Sequence, residues 1–519
     1  MAAWSWSSAW SARAMTGFAR SSAPARPAPW RPETAVAEAR RARISSPASA
    51  DGADGARANG AEVVGSGDGR AKPGGHREAT LYRALAGAGA GDGRSLAELR
   101  ADALRAYRSL ELPVWRRSGF WTTSLQKLQL DALRGPPAPS GTTPAVPEVV
   151  ERTLPRRPRA GRIVQSANAT VQLELDPDLR ARGVILCSLE DAFREHPELT
   201  ARWYSKRLTI DRHKLEAANA AFWSAGAFLY VPPEVVVREP FEIVYAIDAP
   251  GVAQYGRTLV LGGRASEFRL HEYDLGEDFE GQALHAGAVE VYLQDGARCR
   301  VAQVQDWGAG EVFDVSTRFV GVGRDAYCHW LPALLGGHLV RQHLELAVSE
   351  PGGEMAFRGL LFTEEQEHLD VFAVDLHETG PSEGDVHWRG AATGQSRASF
   401  EGLIQINPGA QRTHTYLQIH SMMLSPKARV DAVPSVLVSA DDVSASHGGT
   451  VGELDEAAIF YMQSRGLDRP AAVRVIVEGF FEPLIAELED EPLQELVRSK
   501  IEGKLAAARE DIEAYATSR

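Results

Sequence analysis

The feature that most constrains the fold is a repeated unit of strand and turn between residues 227 and 446. Apolar and polar residues alternate in runs such as Phe228–Val231 and Val289–Leu293, and a period of two predicts β-strands. Glycine-containing turns separate the runs at intervals of 33, 27 and 30 residues, at Gly263, Gly296, Gly323 and Gly353. A near-regular repeat without intervening helices is typical of a solenoid and favours a β-helix, although a sandwich or jelly roll has similar strand spacing.

Composition narrows the classes of function. The chain has 519 residues, of which 44% are hydrophobic and 24% charged, as in ordinary folded proteins of more than one domain. Its formal net charge of −13 argues against partners such as nucleic acids or anionic membranes. No apolar run approaches the ~18 residues that a membrane span needs. Cys187, Cys299 and Cys328 are far apart and form no CxxC, which argues against a disulfide framework and a structural zinc site.

The composition and periodicity of the residues change along the chain and divide it into four regions. Residues 1–76 are rich in Ala, Ser, Gly, Arg and Pro, which predicts a disordered or targeting tail. Residues 77–160 predict an N-terminal helical region and a Pro-rich linker, and residues 161–446 a mixed segment and the β-helix core. Residues 447–519 predict a C-terminal helical domain. The predicted location is the bacterial cytoplasm, or a plastid if residues 1–76 are a transit peptide.

The most specific motif lies where the strands give way to helices, between Asp441 and Gly466. It contains an acidic pair, the turn Ser-His-Gly-Gly-Thr-Val-Gly, and an acidic helix with Phe-Tyr and Ser-Arg-Gly. In this order the elements resemble the SufB/SufD family, the scaffold proteins of bacterial and plastid iron–sulfur cluster assembly. The segment Phe400–Pro408 resembles the same family.

The resemblance implies a right-handed parallel β-helix core flanked by N-terminal and C-terminal helical regions. It also implies a scaffold subunit of a SufBCD complex, not an enzyme, with a SufB-like chain and a SufC-like ABC-type ATPase as partners. The iron–sulfur cluster would be held transiently and shared with the partner chain. Since the sequence has no GxxxxGK[ST] motif, we expect no nucleotide to be bound by this chain.

His447 is the candidate residue for cluster assembly. A histidine beside glycines is by itself most simply a turn residue, although imidazole is a good iron ligand. The resemblance implies that His447 acts where the two scaffold chains meet, as a metal ligand shared with the partner. Ala445 departs from SufD members, which often carry cysteine there, and Ile419 occupies the place of a cluster-related cysteine of SufB members. Because clusters need mostly cysteine ligands, the resemblance implies the SufD-like partner and not the SufB-like one.

Two interaction surfaces are predicted. The strands between Arg397 and Ala440 are expected to form the edge that joins the SufB-like chain, because an open solenoid end leaves backbone groups unpaired. The C-terminal helices are expected to dock the ATPase through Phe460, Tyr461, Arg465, Gly466 and Phe480.

The competing hypothesis is a β-helical carbohydrate-active enzyme of the pectin-lyase type. Such an enzyme would place carboxylates and an arginine on one outward face of successive coils, and Asp370, Asp375 and Arg389 fit that requirement by residue type. The helical C-terminal region and the lack of a secretion signal argue against it. His368 and Asp370 share a strand face and belong to a segment that resembles SufD, but an exposed polar edge explains them equally well.

Overall fold

Stacked coils of β-strand form the centre of the molecule, as seen in a computed structural model that describes residues 95–117, 121–135, 144–509 and 512. These residues belong to one unit, residues 72–519. The predicted tail, residues 1–76, lies outside the described residues, as does the start of the predicted N-terminal helical region.

The described helices lie at the two ends of the β-rich region, and none of them is long and apolar enough to cross a membrane. The α-helices are α1 (Leu96–Ser109), α2 (Glu148–Thr153), α3 (Pro177–Ala181), α4 (Leu189–Glu195), α5 (Pro197–Trp203), α6 (Lys214–Phe222), α7 (Glu456–Ser464), α8 (Arg469–Ile485) and α9 (Glu491–Ala507). Short 3₁₀ helices lie at Leu130–Ala132 and Ala486–Leu488.

The strands are β1 (Val114–Arg117), β2 (Trp121–Ser124), β3 (Gly161–Ser166), β4 (Ala169–Leu175), β5 (Ile185–Cys187), β6 (Ala227–Val231), β7 (Phe241–Ile247), β8 (Ala253–Gln254), β9 (Arg257–Gly262), β10 (Glu267–Gly276), β11 (Gln282–Leu293), β12 (Arg298–Asp306), β13 (Glu311–Val322), β14 (Tyr327–Leu334), β15 (Leu339–Val348), β16 (Glu354–Thr363), β17 (His368–His377), β18 (Ser382–Ala392), β19 (Arg397–Ile406), β20 (Thr413–Met423), β21 (Arg429–Val438) and β22 (Val443–Glu453).

Successive coils give one strand to each of two sheets. The first sheet has the order β22-β20-β18-β16-β14-β12-β10-β7-β3-β4, and the second has β21-β19-β17-β15-β13-β11-β9-β6-β5. From β3 in the first sheet and β6 in the second, every neighbouring pair along these orders up to β22 and β21 is parallel. The predicted parallel β-helix, of about eight coils, is confirmed. A sandwich is excluded because its sheets are antiparallel.

The core depends on the register between coils. Neighbouring strands lie ~4.8 Å apart, so each inward side chain rests on the equivalent side chain of the previous coil. Trp330, for example, lies between Val301 and Phe357, and all three are buried. The interior also holds charge, since Arg318 contacts Glu272 at 2.6 Å and Asp274 at 3.2 Å.

The N-terminal end of the solenoid is closed. The outermost strands there, β4 and β5, pair antiparallel with their neighbours and stop the parallel stacking. Helix α6 covers the adjacent coils, where Asn219 Nδ2 donates hydrogen bonds to the carbonyl oxygens of Gly256 at 2.6 Å and Ala286 at 2.7 Å. This end therefore exposes no long parallel edge strand.

The C-terminal helices pack on the outer face of the first sheet. The Phe481 ring stacks on Phe362 of β16 with centroids 6.1 Å apart. After α8, Glu487 accepts hydrogen bonds from Arg358 Nε at 2.9 and 3.0 Å. In α9 the charges are the other way round: the helix carries the cation, Lys504, whose Nζ donates to the carboxylate of Glu364 on the solenoid at 2.7 Å. These opposite charge pairs fix the orientation of the helices.

A pH effect on stability is expected from Glu367, which is largely buried and also accepts from Lys504 at 3.1 Å. Burial raises the pKa of Glu367 from 4.5 to about 7. The pKa of Glu367 is higher in the folded chain than in the unfolded chain. The stabilisation of the fold by this group is therefore fully present below the unfolded-state pKa, and it is lost as the pH rises through the folded-state pKa. Between these two pKa values the free energy of unfolding should fall by roughly 3 kcal/mol.

The substitution Glu367→Gln should therefore flatten the dependence of unfolding free energy on pH between about pH 5 and pH 8. Urea unfolding at several pH values measures it. The matched control is Glu365→Gln, which removes an exposed neighbouring carboxylate. A Glu367→Gln profile as steep as that of the unchanged chain would contradict the assignment.

Candidate functional site

The C-terminal end of the solenoid is open, in contrast to its N-terminal end. Among the described strands, β21 has only β19 as a neighbour in its sheet, and β22 has only β20. These edge strands are long, at 10 and 11 residues. A long edge strand presents unpaired backbone donors and acceptors, which can pair with another chain.

The hydrophobic core is uncovered at this end. In β21, Val436 and Val438 continue the inward positions of Ile404 and Ile406, which are fully buried. Val436 is nevertheless 38% exposed and Val438 43% exposed, because no further coil of the described residues lies over them. The end of the core is thus an apolar surface between two edge strands.

His447 ends one column of this core. In-register pairing places it directly over Leu417 of β20. The residues below Leu417 in the same column are all buried core residues: Val386, Phe357, Trp330, Val301, Leu270 and Phe241. His447 is the polar last member of an apolar column, and it is exposed because it lies on the last coil.

The prediction that His447 lies in a turn is wrong. Residues 443–453 form β22, which pairs with β20 over its whole length, so the helical part begins at Glu456. Gly448 and Gly449 are extended in this strand, and a Cβ at Gly449 would meet only Pro434 atoms at 3.7 Å. The small neighbours leave the imidazole accessible from the open end.

The imidazole of His447 has no hydrogen-bond or ion-pair partner among the described residues. No group of three or more His, Cys, Asp or Glu side chains that could hold a metal ion occurs in the described part of the chain. Any metal at His447 would therefore need ligands from outside the described residues.

The location of the predicted edge needs correction. The strands between Arg397 and Ala440 include β19 and β20, but β21 and β22 cover both of them. Only β21 of that range is an edge, and β22, which carries His447, is the other. The sequence prediction missed β22 because its Gly-rich segment has no alternating pattern.

The three cysteines cannot supply thiolates at the open end. Cys299 and Cys328 are opposite each other on β12 and β14 and are fully buried in the core. Burial raises the pKa of Cys328 to about 12, and it raises that of the partly buried Cys187 to about 12 as well. Both thiols are therefore protonated at neutral pH.

The C-terminal helices expose an aromatic patch on α7. Phe460 is 73% and Tyr461 58% exposed, whereas Ile459 beside them is buried. Arg465 Nη2 donates to the Tyr461 hydroxyl at 3.2 Å, and Gly466, with a φ of +98°, follows the helix as its predicted stop. Exposed aromatic rings of this size mark interaction surfaces.

Phe480 also belongs to the predicted docking set, but it is not part of the exposed patch on α7. It is half-buried on α8, and the guanidinium of Arg389 lies 5.3 Å from its ring centroid. Arg389 also donates a hydrogen bond to the Phe480 carbonyl oxygen. Phe480 thus helps to attach the C-terminal helices to β18.

The residues of the carbohydrate-active hypothesis do not converge. Asp370 accepts hydrogen bonds from Thr123 at 2.6 Å and Arg341 at 2.9 Å under the N-terminal segment. Asp375 faces the interior, where it contacts His377 at 3.2 Å. Arg389 lies under α8 on the other sheet. Since both carboxylates are buried and on opposite faces of β17, the pectin-lyase arrangement is wrong.

The alternative of an exposed polar edge is wrong as well. His368 is hydrogen-bonded to Thr123 at 3.2 Å, and His377 is fully buried. His377 Nδ1 and the Ser382 hydroxyl are 2.8 Å apart, and Ser382 contacts Thr413 at 2.8 Å. His377 and these hydroxyls form a hydrogen-bonded group inside the solenoid, and Asp375 beside it accepts a hydrogen bond from the Thr415 hydroxyl.

Comparison with known proteins adds independent information. Residues 163–243 match the family described as "SufBD protein N-terminal region", and residues 245–480 match "SUF system FeS cluster assembly, SufBD core domain". The iron–sulfur cluster assembly protein SufD of Bacillus subtilis is 29% identical over 345 residues, covering 66% of this chain and 78% of that protein.

Two other relatives are more distant. The iron–sulfur cluster assembly protein SufB of Bacillus subtilis is 23% identical over 363 residues, or 69% of this chain and 77% of that protein. An iron–sulfur cluster assembly SufBD family protein of Staphylococcus epidermidis is 23% identical over 423 residues, covering 79% of this chain and 90% of its relative.

The open end should cause self-association of the isolated chain. The double substitution of Val436 and Val438 by lysine should reduce it, because two charges would then occupy the uncovered apolar surface. Light scattering over a range of concentrations measures the effect. The control is Val475→Lys, since Val475 is 40% exposed but lies on α8. Equal effects of the control and the double variant would contradict a special role of the open end.

Proposed function

Because the chain belongs to the SufB/SufD family of iron–sulfur cluster assembly proteins, we propose that it is the SufD-like scaffold subunit of a SufBCD-type complex. It acts in the cytoplasm, as a scaffold and not as an enzyme. It pairs with a SufB-like chain, and a SufC-like ATPase docked on its C-terminal helices hydrolyses ATP. The cluster is the cargo of the complex, held transiently between the two scaffold chains.

One observation carries the proposal: the core ends at an open surface with a single histidine in it. A partner strand that pairs with β21 or β22 would satisfy the edge and cover Val436 and Val438. The same partner would cover His447. An imidazole at that position would meet ligands from the partner, since the described part of this chain holds no metal-ligand cluster of its own.

The SufD-like assignment has two supports. Ile419, at the place where SufB members carry a cluster-related cysteine, is a fully buried core residue of β20. The thiols of Cys299 and Cys328 are also buried, so this chain brings no exposed thiolate to the joint. A cluster assembled there would take its thiolates from the partner and an imidazole from this chain.

The docking of the ATPase is proposed to use the α7 patch with Phe460, Tyr461, Arg465 and Gly466. Large aromatic side chains with most of their surface exposed lose much apolar area on binding. Phe480 contributes from α8 by holding the helices on the solenoid.

The first test concerns His447. His447→Ala should change the free energy of unfolding by no more than about 0.5 kcal/mol, since the side chain is exposed and has few contacts. Pairing with the SufB-like chain should persist, while cluster yield in cells that depend on this system falls several-fold. His447→Asn keeps a hydrogen-bonding group but loses the basic nitrogen, so it should fail like alanine.

The matched control is His414→Ala, which removes an exposed histidine from β20, on the face opposite to the core. Normal cluster formation with both His447 variants would show that His447 has no role in assembly. A loss of pairing instead of cluster yield would make it an interface residue only.

The second test concerns the ATPase. Replacing both Phe460 and Tyr461 by alanine should weaken ATPase binding by about 2 kcal/mol or more, the size expected for a hot spot. Val475→Ala is the control, because Val475 is also exposed on the C-terminal helices. Calorimetric titration with the purified ATPase measures the change. ATPase affinity unaltered by the aromatic substitutions would place the docking surface elsewhere.

A further inference from the structure

A groove rich in arginine lies on the outer face of the first sheet, beside the turn that follows α8. It has a volume of about 510 Å³. Four arginines line it: Arg238, Arg269, Arg298 and Arg300. Three glutamates, Glu239, Glu267 and Glu489, also line it, so the arginines exceed the carboxylates by one. The proposed scaffold role does not use this groove.

Register brings these arginines together. Arg269 and Arg300 are opposite each other on β10 and β12, so their backbones are ~4.8 Å apart. The guanidinium groups of Arg298 and Arg300 lie 5.7 and 5.6 Å from the ring centroid of Tyr327 on the next strand. Like charges at this spacing repel each other unless an anion lies between them.

One half of the groove already holds an anionic group. The carboxylate of Glu489 lies 3.6 Å from Arg269 Nη2 and 3.3 Å from Arg300 Nε. Glu489 is in the left-handed conformation, with a φ of 49°, at the turn that follows α8. A carboxylate between two guanidinium groups shows that the surface accommodates an anion.

In the other half, Arg298 is opposite Glu267 in register, and its charge partly offsets the rise in the pKa of Glu354 that burial causes, but it forms no close ion pair with a described residue. Among the described residues, no carboxylate oxygen lies within 4 Å of the guanidinium groups of Arg238 or Arg298. The Tyr327 hydroxyl likewise has no hydrogen-bond partner in the described part of the chain. Glu239 and Glu267 also line the groove, and since these two side chains and those of Arg238 and Arg298 are all exposed, water screens the acidic and basic charges alike.

The geometry points to a binding site for a small phosphate ester in this groove, with the phosphate held by Arg238 and Arg298. Guanidinium forks match the oxygens of a phosphate group. A free phosphate ion would leave most of the volume empty, whereas sites for small organic molecules range over ~300–1,000 Å³. Val236, which is 47% exposed, and the Tyr327 ring offer apolar contact to the organic part.

Glu489 disfavours ligand binding in this arrangement, because its negative charge on Arg269 and Arg300 repels a phosphate held in the neighbouring half of the groove. The inference does not depend on the proposed scaffold function, since it uses neither the open end nor the α7 patch. Its failure would leave the proposed function intact.

The experiment is a calorimetric titration of the full chain at constant ionic strength, with phenyl phosphate and inorganic phosphate as probes. Arg238→Ala and Arg298→Ala should each weaken phenyl phosphate binding about tenfold or more, through loss of charge-assisted hydrogen bonds. Arg298→Lys should recover part of the affinity, since it keeps the charge but not the fork. Glu489→Gln should strengthen binding several-fold.

The control is Arg324→Ala, which removes an exposed arginine that pairs with Glu350 outside the groove and should leave binding unchanged. All these arginines are exposed or half-buried, so each variant should fold, and thermal unfolding of each variant is the check. No heat with millimolar phenyl phosphate, or an equal loss of affinity in Arg324→Ala, would overturn the site. Inorganic phosphate binding as tightly as the ester would overturn the organic part of the inference.

Discussion

The in-register stacking of parallel coils is the interaction on which the rest of this structure depends. Each coil covers the inward side chains of the one before it, so columns such as the one from Phe241 to Leu417 are buried along their length. The same rule makes the last coil different. Its inward positions have a neighbour on one side only, and the apolar end and the exposed His447 are direct consequences. An open end is a property of the architecture, and the chain places its candidate site there.

Charge decides how the helical region attaches to this solenoid. The turn after α8 presents carboxylates to arginines of the first sheet, as in the pair of Glu487 and Arg358, while Lys504 of α9 meets Glu364 and Glu367. Since the two contacts have opposite polarity, the helices fit in one orientation. That orientation leaves Phe460 and Tyr461 in solvent. The surface proposed for the ATPase is therefore fixed relative to the coil that ends in His447.

Much of the fold could be predicted from the sequence because its signals are local. Alternation of apolar and polar residues marks the strands, glycines mark the turns, and Gly466 marks the end of a helix. The family motif around His447 singled out a residue that lies at the end of the core, while its role in cluster assembly stays a prediction. Its conformation could not be read locally, since the extended backbone of β22 results from pairing with β20, about thirty residues earlier.

The remaining differences also arise from contacts that are distant in the sequence. The odd separation of Asp370 and Asp375 already places them on opposite faces of a strand, but the burial of Asp370 under the segment that includes Thr123 has no local signal. The arginines of the groove become neighbours only through the register of β10 and β12. Periodicity within one strand carries no information about such partners. The number of coils, and therefore which coil is the last, likewise depends on contacts between coils.

The central claim is that the open end formed by β21 and β22 is the joint with a second scaffold chain. Hydrogen–deuterium exchange of this chain, alone and with a SufB-like partner, tests it most directly. The account predicts that backbone amides of β21 and β22 become protected in the complex, while those of β4 and β5 at the closed end do not change. Protection at the closed end with unchanged exchange in β21 and β22 would contradict it.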